Sequence, residues 1–163
     1  MQIIKVENDR LIEKVAKLAD NIWREHYSSI ISKEQIDYML ANFQSESAIR
    51  NQISKENYRY YLMENDEELV GYFAVVVEEA DLFLSKLYVA KENRHKGYAG
   101  GALDFLKQLA KESNLKNIYL TVNRNNVSSI TAYGKMGFKN AGEINQNIGD
   151  GFKMEDYKMV LEV

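Results

Sequence analysis

The sequence predicts a mixed α/β fold of the α+β kind, with a central sheet of about seven strands and helices on both faces. Three observations carry that expectation. Apolar residues recur at helical spacing early in the chain, a block rich in aromatic and β-branched residues fills the middle, and strands then alternate with helices. Strands in a run, followed by strands interleaved with helices, mark a sheet that is partly antiparallel and partly parallel.

Residues 2–6 (QIIKV) alternate as a short strand. From Asp9 the apolar positions Leu11, Val15, Leu18, Ala19 and Ile22 share one helical face. A second helix is expected from Ser32, with Glu34 and Gln35 in its first turn as capping partners and Ile36, Met39, Leu40 and Phe43 on its apolar face. Residues 58–63, 69–77 and 82–89 read as three antiparallel strands, separated by the charged segments Glu64–Glu68 and Glu78–Asp81. After Val89 a turn leads into a helix with Ala102, Leu103, Leu106, Leu109 and Ala110 on one side. A strand at 117–122, a helix near 127–136 capped by Asn126, and strands at 138–143 and 155–162 complete the pattern. Residues 144–155, with Gly149 and Gly151, read either as a flexible connection able to cover a substrate or as a hairpin loop that touches none.

Composition narrows the function. With 163 residues, no proline and no Gly/Ser-rich linker, the chain is expected to form one domain, 1–163. Lys and Arg number 21 against 24 Asp and Glu, a net charge of −3, which gives no electrostatic warrant for a nucleic-acid partner. No apolar run reaches the ~18–20 residues of a membrane span, and the first residues carry no secretion-signal pattern, so the expected location is cytoplasmic. Cysteine is absent, which removes disulfides, thiolate metal sites and a cysteine nucleophile. Only His26 and His95 offer imidazoles, so no metal site is expected.

Two segments carry chemistry. In Leu87–Leu103 a strand runs into a turn containing Arg94, Gly97, Ala99, Gly100 and Gly101, and the turn opens an amphipathic helix. The first N–H groups of a helix have no intrahelical partner and lie at the positive end of its dipole, so this arrangement suits an anion such as a phosphate. Lys91, Arg94, His95 and Lys96 add donors nearby. An isolated turn of this spelling is equally well a plain strand-to-helix connection. Neither a dinucleotide fingerprint nor a P-loop is spelled here. In Thr121–Phe138, Asn126 either caps a helix or holds a ligand amide, and Tyr133 is either a core aromatic or a reactive phenol.

Arg94-His95-Lys96-Gly97-Tyr98-Ala99, followed by N-x-x-S-x-x-x-Y-x-K-x-G-F from Asn126 to Phe138, resembles the GNAT superfamily of acetyl-CoA-dependent N-acetyltransferases. The order of elements agrees with the GNAT fold over nearly the whole chain. Trp23 with Tyr27, the segment WREHYSSIIS and the tail IGDGFKMEDYKM are similar to the bacterial branch that includes spermidine/spermine acetyltransferases. The resemblance implies direct acetyl transfer from acetyl-CoA to a primary amine of a small molecule, a polyamine among them, through a ternary complex. It implies that Leu87, Tyr88 and Val89 offer backbone groups to pantetheine, that Arg94, His95, Lys96, Gly97, Tyr98, Ala99 and Gly100 cradle the pyrophosphate, and that Asn126 contacts the pantetheine arm. Tyr133 would give a proton to the departing thiolate.

Many family members carry a glutamate where this chain has Phe83, so no base is assigned. On the acceptor side Tyr27 and Glu78 are the candidates, with Glu25, Glu79, Asp81 and Asp150 as further acids. Two alternatives stand beside the small-molecule enzyme: a non-catalytic acyl-CoA-binding or sensing module, and a protein or peptide N-terminal acetyltransferase. Aromatics in the central strands and the last strand, if exposed, would favour a homodimer.

Overall fold

Capping side chains set where the helices begin. The computed structural model describes residues 1–163, and its elements run β1 (Gln2–Lys5), α1 (Asp9–Tyr27), α2 (Lys33–Phe43), α3 (Glu46–Lys55), β2 (Tyr58–Asn65), β3 (Glu68–Val77), β4 (Asp81–Val89), a 3-10 turn (Lys91–Asn93), α4 (Tyr98–Glu112), β5 (Asn117–Asn123), α5 (Val127–Lys135), β6 (Lys139–Gly149) and β7 (Phe152–Glu162). Asn8, Ser32, Ser45 and Asn126 each accept from a backbone N–H in the first turn of the helix they precede. Helix α3 goes beyond the sequence expectation of two early helices. Its apolar face is only Ile49 and Ile53, too short a stripe to stand out, and Ser45 at its cap is its clearest signal.

The seven strands form one sheet in the order β1-β2-β3-β4-β5-β7-β6. All neighbours are antiparallel except β4 and β5. Alternate residues feed two cores. On one face Phe73, Leu82, Leu84, Ile118 and Leu120 pack with Leu103, Leu106 and Ala110 of α4. On the other, Tyr60, Leu62 and Tyr72 pack under α1, α2 and α3. The central aromatics Tyr60, Tyr61, Tyr72 and Phe73 are thus buried, which removes the exposed-aromatic argument for a homodimer.

The polar tips of the second core are joined. Trp23 Nε1 donates to the Tyr72 hydroxyl (2.8 Å), which donates to Gln44 Oε1 (2.6 Å). Gln44 Nε2 donates to Tyr60, and Tyr60 donates to Gln52 Oε1. Burying these polar side chains is tolerable because each donor has an acceptor.

In the C-terminal region the structure has the hairpin, one of the two expectations, with longer arms than the sequence pattern marks. Residues 144–155 are not a connection but the arms of a long hairpin, with Ile144↔Asp156 through Gly149↔Phe152 in register. The turn is Asp150-Gly151, both with positive φ (51° and 76°), the backbone of a tight turn whose twist matches its strands. The tip docks on α2: Tyr38 donates to the Ile148 carbonyl (2.9 Å), and Gln35 Nε2 donates to the Lys153 carbonyl (3.2 Å).

Two local features shape the end of β4. A register shift opposite Ala74/Val75 leaves Ser85 as an extra residue, which bends the strand. Further along, Gly71 of β3 lets the backbones close up, since a Cβ there would lie 2.2 Å from the Tyr88 carbonyl oxygen and 3.1 Å from Val89 Cα. Gly71→Ala therefore forces the strands apart. It is expected to cost about 1–3 kcal/mol, the range for overpacking, read as a lower urea midpoint with an unchanged slope.

Candidate functional site

Parallel strands β4 and β5 pair only through Asp81↔Asn117, Leu82↔Ile118 and Phe83↔Tyr119. Beyond Phe83 they part, β5 staying with β7 while β4 stays with β3. The β5-facing edge of Leu87–Val89 is left without a strand partner. A cleft of about 420 Å³ opens there, bounded by Leu87, Tyr88 and Val89, by the Asn93–Gly100 turn, and by Ser129 and Tyr133 of α5. A smaller cavity of about 40 Å³ continues between the strands, bounded by Tyr27, Lys86, Thr121, Asn126 and Tyr133.

The cleft has the donor set of an anion site. Gly97, at φ 87°, precedes α4 with no side-chain cap, so the first-turn N–H groups are unclaimed. A side chain at Gly97 or Gly100 would meet nothing within 4 Å, so that side of the turn is open. Asn93, 6% exposed and lining the cleft, has an Nδ2 with no partner in the protein. A buried donor without an acceptor is unfavourable by itself and is relieved by a ligand oxygen. The uncapped turn and the Asn93 amide together fit a phosphate-bearing ligand such as coenzyme A.

The expected residues divide unevenly. His95, Gly97, Tyr98, Ala99 and Gly100 line the cleft with the Leu87–Val89 edge, whereas Lys96 is exposed and does not. Arg94 lines it too, yet its guanidinium is held by the protein: Nε donates to the Val89 carbonyl (3.0 Å) and Nη2 to Glu25 Oε2 (2.7 Å). It therefore ties α1 to the end of β4 and leaves the uncapped backbone N–H groups at the start of α4 as the free donors of the turn. Glu78 lies outside both cavities. It sits at the opposite end of β4 from Tyr88 and accepts from Tyr119 (2.7 Å), because the β3–β4 connection turns away from the cleft. Phe83 stacks on Tyr119 at 4.9 Å, so no acid stands at that position.

Of the two roles the sequence left open for Asn126, the structure displays the helix cap. Asn126 Oδ1 accepts from Ser129 N, which turns Nδ2 towards His26 Nε2 at 2.9 Å. His26 therefore accepts at Nε2 and carries its proton on Nδ1. Burial and the Arg94 charge push its pKa below the usual value, against a smaller upward pull from Glu25. The imidazole is neutral at pH 7. Sequence reasoning missed Asn93 as a cleft residue, because an asparagine in a 3-10 turn carries no local spacing signal.

Tyr133 borders both cavities, and its hydroxyl has no hydrogen-bond partner in the protein. Its ring packs on Phe138 at 5.6 Å. Burial first, then the neighbouring Tyr27, raises its pKa, so it stays protonated across the working pH range. Tyr27 and Tyr88 share a 2.8 Å hydrogen bond, and burial raises Tyr27 to about 12. With Trp23 they form an aromatic wall beside the small cavity.

Comparison with known proteins agrees with this architecture. Residues 15–138 match the acetyltransferase (GNAT) family. Over 84 residues the chain is 30% identical to the uncharacterized N-acetyltransferase YobR of Bacillus subtilis (strain 168), covering 52% of this chain and 34% of that one, so the match spans about a third of the relative. The PaiA N-acetyltransferase of Thermoplasma acidophilum, solved in complex with coenzyme A, superposes with a TM-score of 0.81 at 21% identity, covering 100% of both chains. The spermidine/spermine N-acetyltransferase SpeG of Vibrio cholerae, solved in mutant forms, gives 0.69 at 18% identity over 99% of this chain and 92% of that one. At these identities the two structures speak to the fold.

The Arg94 charge is one of the two causes that depress His26. Arg94→Gln removes it and leaves Glu25 unopposed, so the His26 midpoint is expected to move up towards about 6.5. Histidine NMR titration reads the shift, and an unmoved midpoint would remove Arg94 from the electrostatics of the cleft.

Proposed function

The chain belongs to the acetyltransferase (GNAT) family, and from that premise we propose that it transfers the acetyl group of acetyl-CoA directly to a primary amine of a small molecule through a ternary complex. One observation carries this reading above the others. The uncapped start of α4, the unpaired edge of β4 and the partnerless Tyr133 hydroxyl border one continuous opening. The likeness to PaiA, whose structure holds coenzyme A, supports the donor, and the likeness to SpeG supports an amine acceptor. A polyamine is the finer candidate, and the cytoplasm, where acetyl-CoA is made and used, is the proposed place of work.

The roles follow from position. The first-turn N–H groups of α4 and the Asn93 amide hold the diphosphate. The β4 edge at Leu87–Val89 aligns the pantetheine amides as another strand would and polarises the thioester carbonyl. Tyr133 protonates the leaving sulfur. In water a phenol near 10 is a weaker acid than a thiol near 8.5 by about 2 kcal/mol, and burial raises the Tyr133 value further. The departing thiolate forms in the same dry cleft and is destabilised by the same burial, so proton transfer relieves it.

The sensing alternative draws its support from Phe83, which leaves that strand position without a base. Against it stands Tyr133, held at the junction of the two cavities with its hydroxyl unclaimed. A peptide acceptor would need an open groove, whereas the β6–β7 hairpin is strapped onto α2 by Tyr38 and Gln35.

Calorimetry with coenzyme A and thiol release from acetyl-CoA over polyamines, amino acids, aminoglycosides and peptides test the reading. Amine-dependent release supports it, and tight binding with no release across the panel favours the sensor. Tyr133→Phe is expected to lower kcat by about 10²-fold or more, the usual size of a proton-transfer contribution, with coenzyme A affinity close to wild type because the ring still packs.

A further inference from the structure

The C-terminal end of α1 makes two polar links to the walls of the opening. Glu25 holds Arg94 of the turn, and His26 meets Asn126 at the start of α5. His26 borders the large cleft and Asn126 the small cavity. Asn126 is 4% exposed, so its amide depends on partners within the protein. Its Oδ1 receives Ser129 N (3.3 Å) and Ser128 Oγ (3.4 Å), and its Nδ2 donates to His26 Nε2 (2.9 Å). An amide has one accepting end and one donating end, so these three contacts fix a single orientation.

Helix α5 leans on its cap more than the other helices lean on theirs. It has nine residues and none is fully buried, whereas every other α-helix buries at least two. A helix this short is marginal without packing or caps. Ser129 and Tyr133 are four residues apart, hence neighbours on one face, and both border both cavities. Loosening the turn at Ser129 displaces the phenol that follows it.

We propose that His26 is a positioning residue for Tyr133: its unprotonated Nε2 holds the Asn126 amide so that Oδ1 caps α5, and a proton on that nitrogen turns the amide over. The inference rests on the acetyl-transfer reading. With Nε2 protonated, two N–H groups would face each other across 2.9 Å. Half a turn of the amide relieves this, because Oδ1 then accepts from the imidazolium. The same rotation brings Nδ2 to Ser129 N, and the first turn of α5 loses its acceptor. One oxygen thus serves the helix at neutral pH and the histidine in acid.

The groups around the imidazole set where the change falls. Burial lowers the His26 pKa most, Arg94 of the turn lowers it further, and Glu25 of α1 raises it. The rings of Tyr27 on α1 (4.9 Å) and Tyr88 on β4 (6.2 Å) stay uncharged, because burial raises both. From α5 Tyr133 is likewise a neutral phenol, and from the turn His95 is exposed along the same cleft. The amide therefore turns over below pH 6.5.

Backbone NMR tests the link without turnover. The Ser129 amide signal is expected to titrate with the midpoint of the His26 ring, and in His26→Gln it should stay flat. A Ser129 amide that stays still while His26 titrates overturns the inference and leaves acetyl transfer standing.

Turnover gives the second readout. Wild-type kcat should fall by about tenfold or more below the His26 midpoint, the scale of a small misplacement of a reacting group. Glutamine sets an acceptor oxygen where Nε2 stands and does not titrate, whereas leucine offers none. His26→Gln should therefore exceed His26→Leu in kcat at pH 7.5 by about tenfold and should lack the acid limb. Equal kcat in the two variants, or a limb that survives in His26→Gln, overturns the role. Absence of thiol release by the wild type with every amine overturns the transfer reading instead, and the Ser129 titration then judges the His26–Asn126 link by itself.

Discussion

The parting of β4 from β5 is the constraint on which the molecule turns. A sheet interior ordinarily satisfies every backbone group by pairing. Here three residue pairs hold the two strands together and then the ladder stops. The bulge at Ser85 bends β4 away, and Gly71 keeps its far end tight against β3. The result is an edge in the middle of a sheet, bordered by α4 and α5. Such an edge is a hazard at the margin of a protein and an asset at its centre, where only a slender extended ligand can reach it.

The electrostatics around this opening are arranged by burial more than by ion pairs. Tyr27, Tyr88 and Tyr133 all have their pKa values raised by desolvation, so each phenol remains a donor. His26 is pushed the other way by the same cause and remains neutral. The one bidentate pair, Arg94 with Glu25, is structural in effect, joining α1 to the Asn93–Gly100 turn. Movement of the turn is thereby linked to the helix that carries His26 and Tyr27, so the two halves of the site are mechanically coupled.

Much of this was legible in the sequence because it is local. Helical spacing in α1 and α4, the β-rich block, and the R-x-x-G-x-A turn each lie within a few residues of one another. What was not legible depends on contacts across the sheet. Asn93 and Asp156 look like ordinary surface residues in sequence, and only strand order makes them buried and partnerless. Glu78 looked well placed because it is close in sequence to β4, but it occupies the wrong end of that strand. The hairpin was legible only in part, as a turn without its long arms. Its Asp150-Gly151 turn is a local signal, but the flanking Asn, Gln and Gly residues have weak strand propensity, and pairing with β7 overrides it.

The strand order β5-β7-β6 has a consequence for how the chain reaches this state. β6 precedes β7 in sequence yet has no neighbour except β7. β7 alone lies between β5 and β6, so its arrival closes the edge of β5. Until that happens β5 offers an apolar row with bare amides, the condition in which one unfinished molecule most readily captures another. Crowding and synthesis rate should therefore govern the yield of soluble protein more than the strength of the finished core.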